Sequence, residues 1–204
     1  MILTFIVLTG GPGGGKTALI EELRRDPFWR GRVAVLPEAI SLMGGLGVSP
    51  QEKRFQRLMV ALQMALEDAL RAALDDRSPR LVLCHRGSLD PLAYWRARGW
   101  AEDEFFVFTA TRRAQHYARY EAVIHLVTAA DGAVHAYRRY PEAHRPETPA
   151  EAVRLDRLLQ EAWGGHPRYV RLGNDGRDWA AKSAAAREAL EKVWEGGIVH
   201  QERR

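Results

Sequence analysis

The chain has one cysteine, Cys84, in 204 residues. A lone thiol closes no disulfide, so a core must hold the fold together, and a reducing, cytoplasmic setting is expected. Lysine is nearly as scarce, at positions 16, 53, 182 and 192, and the rest of the thirty basic residues are arginine. No basic tract gathers them. The net charge of +4 and pI of about 9.4 therefore read as solvated helix faces plus a preference for anionic small molecules, with no nucleic acid expected. Long hydrophobic runs are missing too. The apolar opening "MILTFIVLT" is too short to span a bilayer and lacks a basic leader and a small-residue cleavage site, so a buried first strand is expected there and no membrane span. There is no internal repeat and no low-complexity linker. With 46% hydrophobic residues, one domain over 1–204 is expected.

What is present is a regular alternation. Short, β-branched apolar runs at about 2–9, 32–37, 80–85, 122–128 and 168–172 predict five parallel strands buried on both faces. Helical patterns fall between them at 15–25, 50–75, 88–97, 103–118, 149–163 and 178–194. The helix at 50–75 is the clearest: Ser49 and Glu52 read as a capping box around Pro50, and Phe55, Leu58, Met59, Leu62, Leu66, Ala69, Leu70, Ala73 and Leu74 form a stripe expected to be core. Strand and helix in this rhythm give a three-layer α/β fold with a five-stranded parallel sheet.

The first predicted strand runs directly into "TGGPGGGKTA", which holds the G-x-x-x-x-G-K-[ST] pattern from Gly10 to Thr17. Such a loop, Gly11, Pro12, Gly13, Gly14 and Gly15 followed by Lys16, Thr17 and Ala18, turns backbone N–H groups toward an anion and adds the positive end of the next helix. Lys16 reaches the β and γ phosphates, and the Thr17 hydroxyl is a ligand for Mg2+. ATP or GTP with Mg2+ is the expected cofactor set.

Open α/β sheets place their sites at the carboxyl ends of the strands. Glu38 ends the second strand, and His85, Arg86 and Asp90 follow the third in "LVLCHRGSLD". The stretch "VTAADGAVHAYRRYPEAHRPET" after the fourth strand carries Arg138 and Arg145, and about 131–148 reads as a lid. Asn174 in "GNDG", after the fifth strand, either reads the edge of a nucleotide base from the loop there or is turn chemistry, which selects Asn, Asp and Gly on its own.

These motifs together, "TGGPGGGKT", "PEA", "HRGSLDPLAYW", "YEAVIHLVTAA", "HRPETPAEAVRLD" and "AWGGHPRYVRLGN", resemble a P-loop AAA-type NTPase and kinase family that groups the kinase domain of the nicotinamide-nucleotide regulator with the TRPL translocation defect protein. The later motifs point to the translocation-defect branch. The resemblance implies a P-loop NTPase fold of the nucleoside/nucleotide-kinase type, in which Glu38 takes the proton from an acceptor hydroxyl and an acid at position 85 supports Mg2+ through water. Here position 85 is a histidine. A neutral imidazole accepts a hydrogen bond from such a water but adds no negative charge. Two readings of His85 stand, a water-mediated metal support and a ring satisfied by backbone at a strand end.

The function expected is transfer of the γ-phosphate of ATP or GTP to a small hydroxylated acceptor, with Glu38, Arg86, Asp90, Arg138 and Arg145 as catalytic candidates and Thr17, Glu38 and His85 as metal candidates. The alternative is a nucleotide-binding regulatory module with slow or no turnover. Tyr94, Trp95, Trp100 and the phenylalanines of 105–108 either line an acceptor pocket or build aromatic core.

Overall fold

A computed structural model describes residues 3–42, 48–74, 81–137, 147–176 and 178–202. Five strands, β1 (Thr4–Thr9), β2 (Val33–Leu36), β3 (Leu81–His85), β4 (Ala122–Leu126) and β5 (Tyr169–Leu172), form one parallel sheet in the order β2-β3-β1-β4-β5. The helices are α1 (Lys16–Arg25), α2 (Lys53–Ala73), α3 (Asp90–Ala97), α4 (Glu102–Thr109), α5 (Arg113–Tyr117), α6 (Pro149–Trp163) and α7 (Trp179–Glu202). No helix among the described residues is long and apolar enough to cross a membrane.

The three central strands carry the continuous apolar runs because both of their faces are covered. Phe5 and Val7 of β1 point into a cluster with Leu92, Trp95, Phe105 and Trp163, from α3, α4 and α6. Ile6 and Leu8 point the other way, against Leu19 and Leu23 of α1 and Ala186 and Leu190 of α7. β2 and β5, at the edges, are only half-buried.

Three local expectations fail for stated reasons. The helix expected at 103–118 is two helices: Ala110 ends α4 in a left-handed conformation (φ 54°), and α5 restarts where the Arg112 N–H donates to Gln115 Oε1. The hydroxyls of Thr109 and Thr111 bond each other, and Thr111 also meets the buried His116 ring, so these side chains compete with the helical backbone. The Ser49–Glu52 pair closes a turn before α2 instead of capping it; the Ser49 N–H donates to Glu52 Oε1, and the helix begins at Lys53. Finally, the fully buried line of α2 includes the polar Gln56, Gln63 and Glu67. Of the apolar stripe, Phe55 is core and Leu66, Leu70 and Leu74 pack against it as expected, whereas Leu58 and Leu62 are half-buried and Ala69 and Ala73 are exposed.

Candidate functional site

β1 is central, so the loop from Gly10 to Gly15 emerges mid-sheet, at the carboxyl edge shared with β3 and β4. The backbone there tolerates only glycine at two decisive places. Gly10 has φ 129°, and a Cβ on it would lie 2.0 Å from the Leu126 carbonyl oxygen. Gly15, at φ 97°, is the N-cap of α1, and a Cβ on it would lie 2.1 Å from the Trp179 ring. With no side chain capping α1, its first-turn N–H groups face the loop, the arrangement that suits a bound phosphate. Lys16 is buried and folds back, its Nζ donating to the carbonyls of Gly10 (2.7 Å) and Gly11 (3.0 Å). Thr17 and Ala18 lie exposed on the first turn of α1.

The ends of β2 and β3 meet beside the loop. Arg86 adopts φ 85°, rare for a side-chain-bearing residue, with its N–H donating to the Leu8 carbonyl. Its guanidinium donates to Glu38 Oε1 at 2.6 Å, to the Gly10 carbonyl at 3.2 Å and to Asp90 Oδ2 at 3.4 Å. Burial pushes the Glu38 carboxyl up, but Arg86, then His85 and Lys16, outweigh it and hold the group at about 2. His85 Nδ1 lies 4.0 Å from Glu38 Oε2. Asp90 is buried beneath Arg86, accepting also from the Thr9 hydroxyl (3.0 and 2.9 Å) and from Trp163 Nε1 (2.7 Å). The structure thus brings Lys16, Glu38, His85, Arg86 and Asp90 into one cluster.

A second carboxylate, not singled out from the sequence, anchors the loop from behind. Asp156 Oδ1 accepts from the Gly11 N–H (2.6 Å), the Thr128 N–H (3.1 Å) and His125 Nε2 (3.1 Å), and Oδ2 accepts from Gln160 Nε2 (2.7 Å). The Thr128 hydroxyl donates to the Pro12 carbonyl. An aspartate inside the "AEAVRLD" helix pattern looks like an exposed position; only its register on α6 turns it toward the loop.

A family model for an AAA domain, AAA_28, matches residues 5–177. The chain belongs to this family. No match is found among curated proteins. The fold is shared with a crystal structure of NadR protein in complex with NAD and AMP-PNP, at a TM-score of 0.62 and 14% identity over 94% of this chain. The chain spans about half the length of that protein, 49%. The translocation-defect branch suggested by the later motifs finds no support in these matches.

Next to the loop of this AAA_28 domain lies a cavity of about 550 Å3, walled by Lys16, Glu38, His85, Arg86, Asp90 and Tyr94 and on its α2 side by Phe55, Gln56, Met59 and Gln63. Of the aromatics that follow the third strand, Tyr94 lines it. Trp95 and Phe105 are fully buried core, and Trp100, Phe106 and Phe108 pack against that core. Burial, with the carboxylates of Glu38, Glu147 and Asp90, pushes the Tyr94 hydroxyl up to about 12 against the pull of Arg86.

Asn174, expected beside a nucleotide base, spends its amide on the protein. Its Nδ2 donates to the carbonyls of Thr128 (2.7 Å) and Asp131 (2.6 Å), and its Oδ1 accepts from Lys182 Nζ (2.9 Å). It ties the loop after β5 to the loop after β4. Arg138 and Arg145 lie outside the described residues, as does half of the expected lid, 138–146. At its two described ends, the Tyr137 hydroxyl donates to the Glu147 carbonyl (2.9 Å), the Tyr137 ring covers Gly13, and Thr148 caps α6 with Glu151.

Among the described residues no group of three His, Cys, Asp or Glu side chains stands ready to hold a metal by itself. The donors present, the exposed Thr17 hydroxyl and the Glu38 carboxylate, are hard oxygens that suit Mg2+ only as a companion of nucleotide phosphate, which supplies most of its ligands in such sites.

The buried lysine makes binding pH-dependent. Burial, then Arg86, lowers the Lys16 ammonium to about 7, against the raising influence of Glu38, Asp90 and Asp156. Above pH 7 the free protein is therefore largely neutral at Lys16, whereas phosphate restores its charge. ADP binding at pH 8.5, well above the second phosphate ionisation near pH 6, is expected to take up close to one proton, whereas at pH 6 Lys16 is already charged and the phosphate gives up its own proton, so a net release is expected. Affinity then falls as pH rises above 7. Calorimetry in buffers of different ionisation enthalpy reads the uptake directly; uptake that persists in Lys16→Ala would assign the proton elsewhere.

Proposed function

We propose that the protein binds ATP or GTP with Mg2+ in the loop and transfers the γ-phosphate to a small hydroxylated acceptor held in the adjoining cavity. The observation that carries this is the shared wall: Lys16, Glu38 and Arg86 border the phosphate loop and the cavity at once. The transferred group passes through a loose transition state, so positioning and charge stabilisation are the main needs. Mg2+ when bound, with Thr17 among its ligands, neutralises charge on the phosphate oxygens.

The ion pair between Arg86 and Glu38 explains how a carboxylate held at about 2 serves as a base. With nucleotide present, the guanidinium has a stronger, bidentate partner in phosphate. Its turn toward phosphate releases Glu38, whose pKa rises, and Glu38 then accepts the proton of the acceptor hydroxyl as the new P–O bond forms and the bond to the leaving diphosphate breaks. Asp90, bonded to Thr9 and Trp163, holds Arg86 close to the loop through the exchange.

Incubation with nucleotide labelled at the γ-phosphate and a pool of cell metabolites tests the reading; label found only in inorganic phosphate sinks it. With an acceptor in hand, Glu38→Gln is expected to lower kcat by roughly a hundredfold with nucleotide affinity changed less than threefold. A loss of affinity dependent on Mg2+ would make Glu38 a metal residue instead. One observation favours the alternative, a regulatory module with little turnover: the imidazole at position 85 reinforces the low pKa of Glu38 and adds no negative charge for a metal. Nucleotide binding without label transfer would select it.

A further inference from the structure

α2 buries three polar residues, and two of them are explained by one network. Glu67 is fully buried and accepts from the Tyr120 hydroxyl (2.5 Å), Arg119 Nε (2.6 Å) and Gln63 Nε2 (2.9 Å). Gln56 is different. It is 4% exposed, lines the cavity, and its amide has no hydrogen-bond partner among the described residues. The sealed side-chain atoms without a partner among the described residues are His125 Nδ1, Glu147 Oε2 and the Tyr169 hydroxyl, so the Gln56 amide opens on the cavity, where a ligand can take the place of water as its partner. Around it Phe55, Met59 and Tyr94 offer flat or adaptable apolar surface. In the same cavity wall the carboxylates of Glu38 and Glu147 can accept from hydroxyls, and Glu147 Oε2 has no partner among the described residues.

We infer that Gln56 is a specificity-determining residue whose amide reads a ring edge with an N–H next to a C=O, so that the acceptor class is hydroxylated compounds carrying a cyclic amide, as nucleosides do. Gln56 Oε1 accepts from the ring N–H while its Nε2 donates to the ring carbonyl, and the sugar hydroxyls meet the carboxylates. This rests on the reading of the cavity as the acceptor site.

The test is calorimetry on protein saturated with AMP-PNP and Mg2+, using uridine and inosine, each against the analogue methylated at that ring nitrogen, 3-methyluridine and 1-methylinosine. At least one parent nucleoside is expected to bind, with its methylated analogue at least about tenfold weaker, because the methyl group removes the donor and leaves the Gln56 acceptor buried and unpaired. Gln56→Met, close in volume, should weaken the parent by about ten- to a hundredfold and abolish discrimination, with AMP-PNP affinity as the folding control. If that variant fails to fold, the methylated pair on the unaltered protein still decides. The inference is overturned if neither nucleoside binds, if the methylated compound binds equally, or if Gln56→Met binds like the original. Label passing from ATP to a hydroxylated compound without an amide edge, while nucleosides fail to bind, overturns this inference and leaves the transfer reading standing. Nucleoside binding that depends on Gln56 without any transfer does the reverse.

Discussion

Lys16→Ala is expected to weaken AMP-PNP binding by about a thousandfold while moving the melting temperature by no more than a few degrees. The loss follows from two charge-assisted contacts to phosphate, each worth roughly 1.5–3 kcal/mol. The small stability effect follows from where the ammonium sits. Folding places it in a buried site beside Arg86, which together lower it to about 7; its two bonds to the Gly10 and Gly11 carbonyls offset that cost without exceeding it by much. Truncation removes the bonds and the cost together. Two carbonyls lose a donor, yet Gly10 keeps Arg86 at 3.2 Å. Calorimetry with AMP-PNP and a thermal melt on the same preparation separate the two effects. An affinity within threefold of the unaltered protein would mean that the loop is not a phosphate site, and the proposed function would fall with it.

The parts of this site legible in sequence are those that backbone geometry fixes. A parallel sheet brings the carboxyl ends of its strands together, so Gly10 after β1, Glu38 after β2 and His85 at the end of β3 are neighbours once the strands are recognised. The glycines of the loop are legible for the same reason, since a Cβ at Gly10 has nowhere to go. Residues on helices are harder, because their role depends on which way a face turns in the assembled fold. The periodicity of α2 advertises its leucines, yet Gln56 and Glu67 are the more buried, as a cavity and a cluster of buried donors make polar burial tolerable. Asn174 looks like turn chemistry or a base reader, and only the tertiary partners Thr128, Asp131 and Lys182 make it a clamp between two loops. The break at Ala110 depends on the hydroxyls of Thr109 and Thr111 finding each other, which propensity sums do not register.

Asp156 is the sharpest case of a residue hidden by its helix, and Asp156→Leu is expected to lower stability by about 4 kcal/mol, or about 8–16 °C in Tm for a chain of this size. The leucine keeps the branched shape but is bulkier, so it crowds the site and leaves the N–H groups of Gly11 and Thr128 and the amide of Gln160 buried without their acceptor. Burial alone would raise the Asp156 carboxyl, but bonds from His125, Gly11 and Gln160 more than offset that and leave it below the usual range. A depressed carboxyl contributes stability that is complete above its unfolded pKa, near 3.9, and disappears as pH falls through the folded value. The gap between the original protein and Asp156→Leu should therefore be constant from pH 5 upward and narrow in strong acid, without closing, because a protonated carboxyl still offers an oxygen to these donors. Asp156→Asn keeps one oxygen for Gly11 and Thr128 but turns an NH2 toward Gln160, so it should lose less, about 1–2 kcal/mol. Because Gly11 opens the phosphate loop, both variants should also weaken AMP-PNP binding in the same order, leucine more than asparagine. Urea unfolding from pH 3 to 8, with calorimetry at neutral pH, reads all of this. A leucine variant within 3 °C of the original Tm, or one that binds AMP-PNP unchanged, would show that the loop holds its shape without the carboxylate behind it.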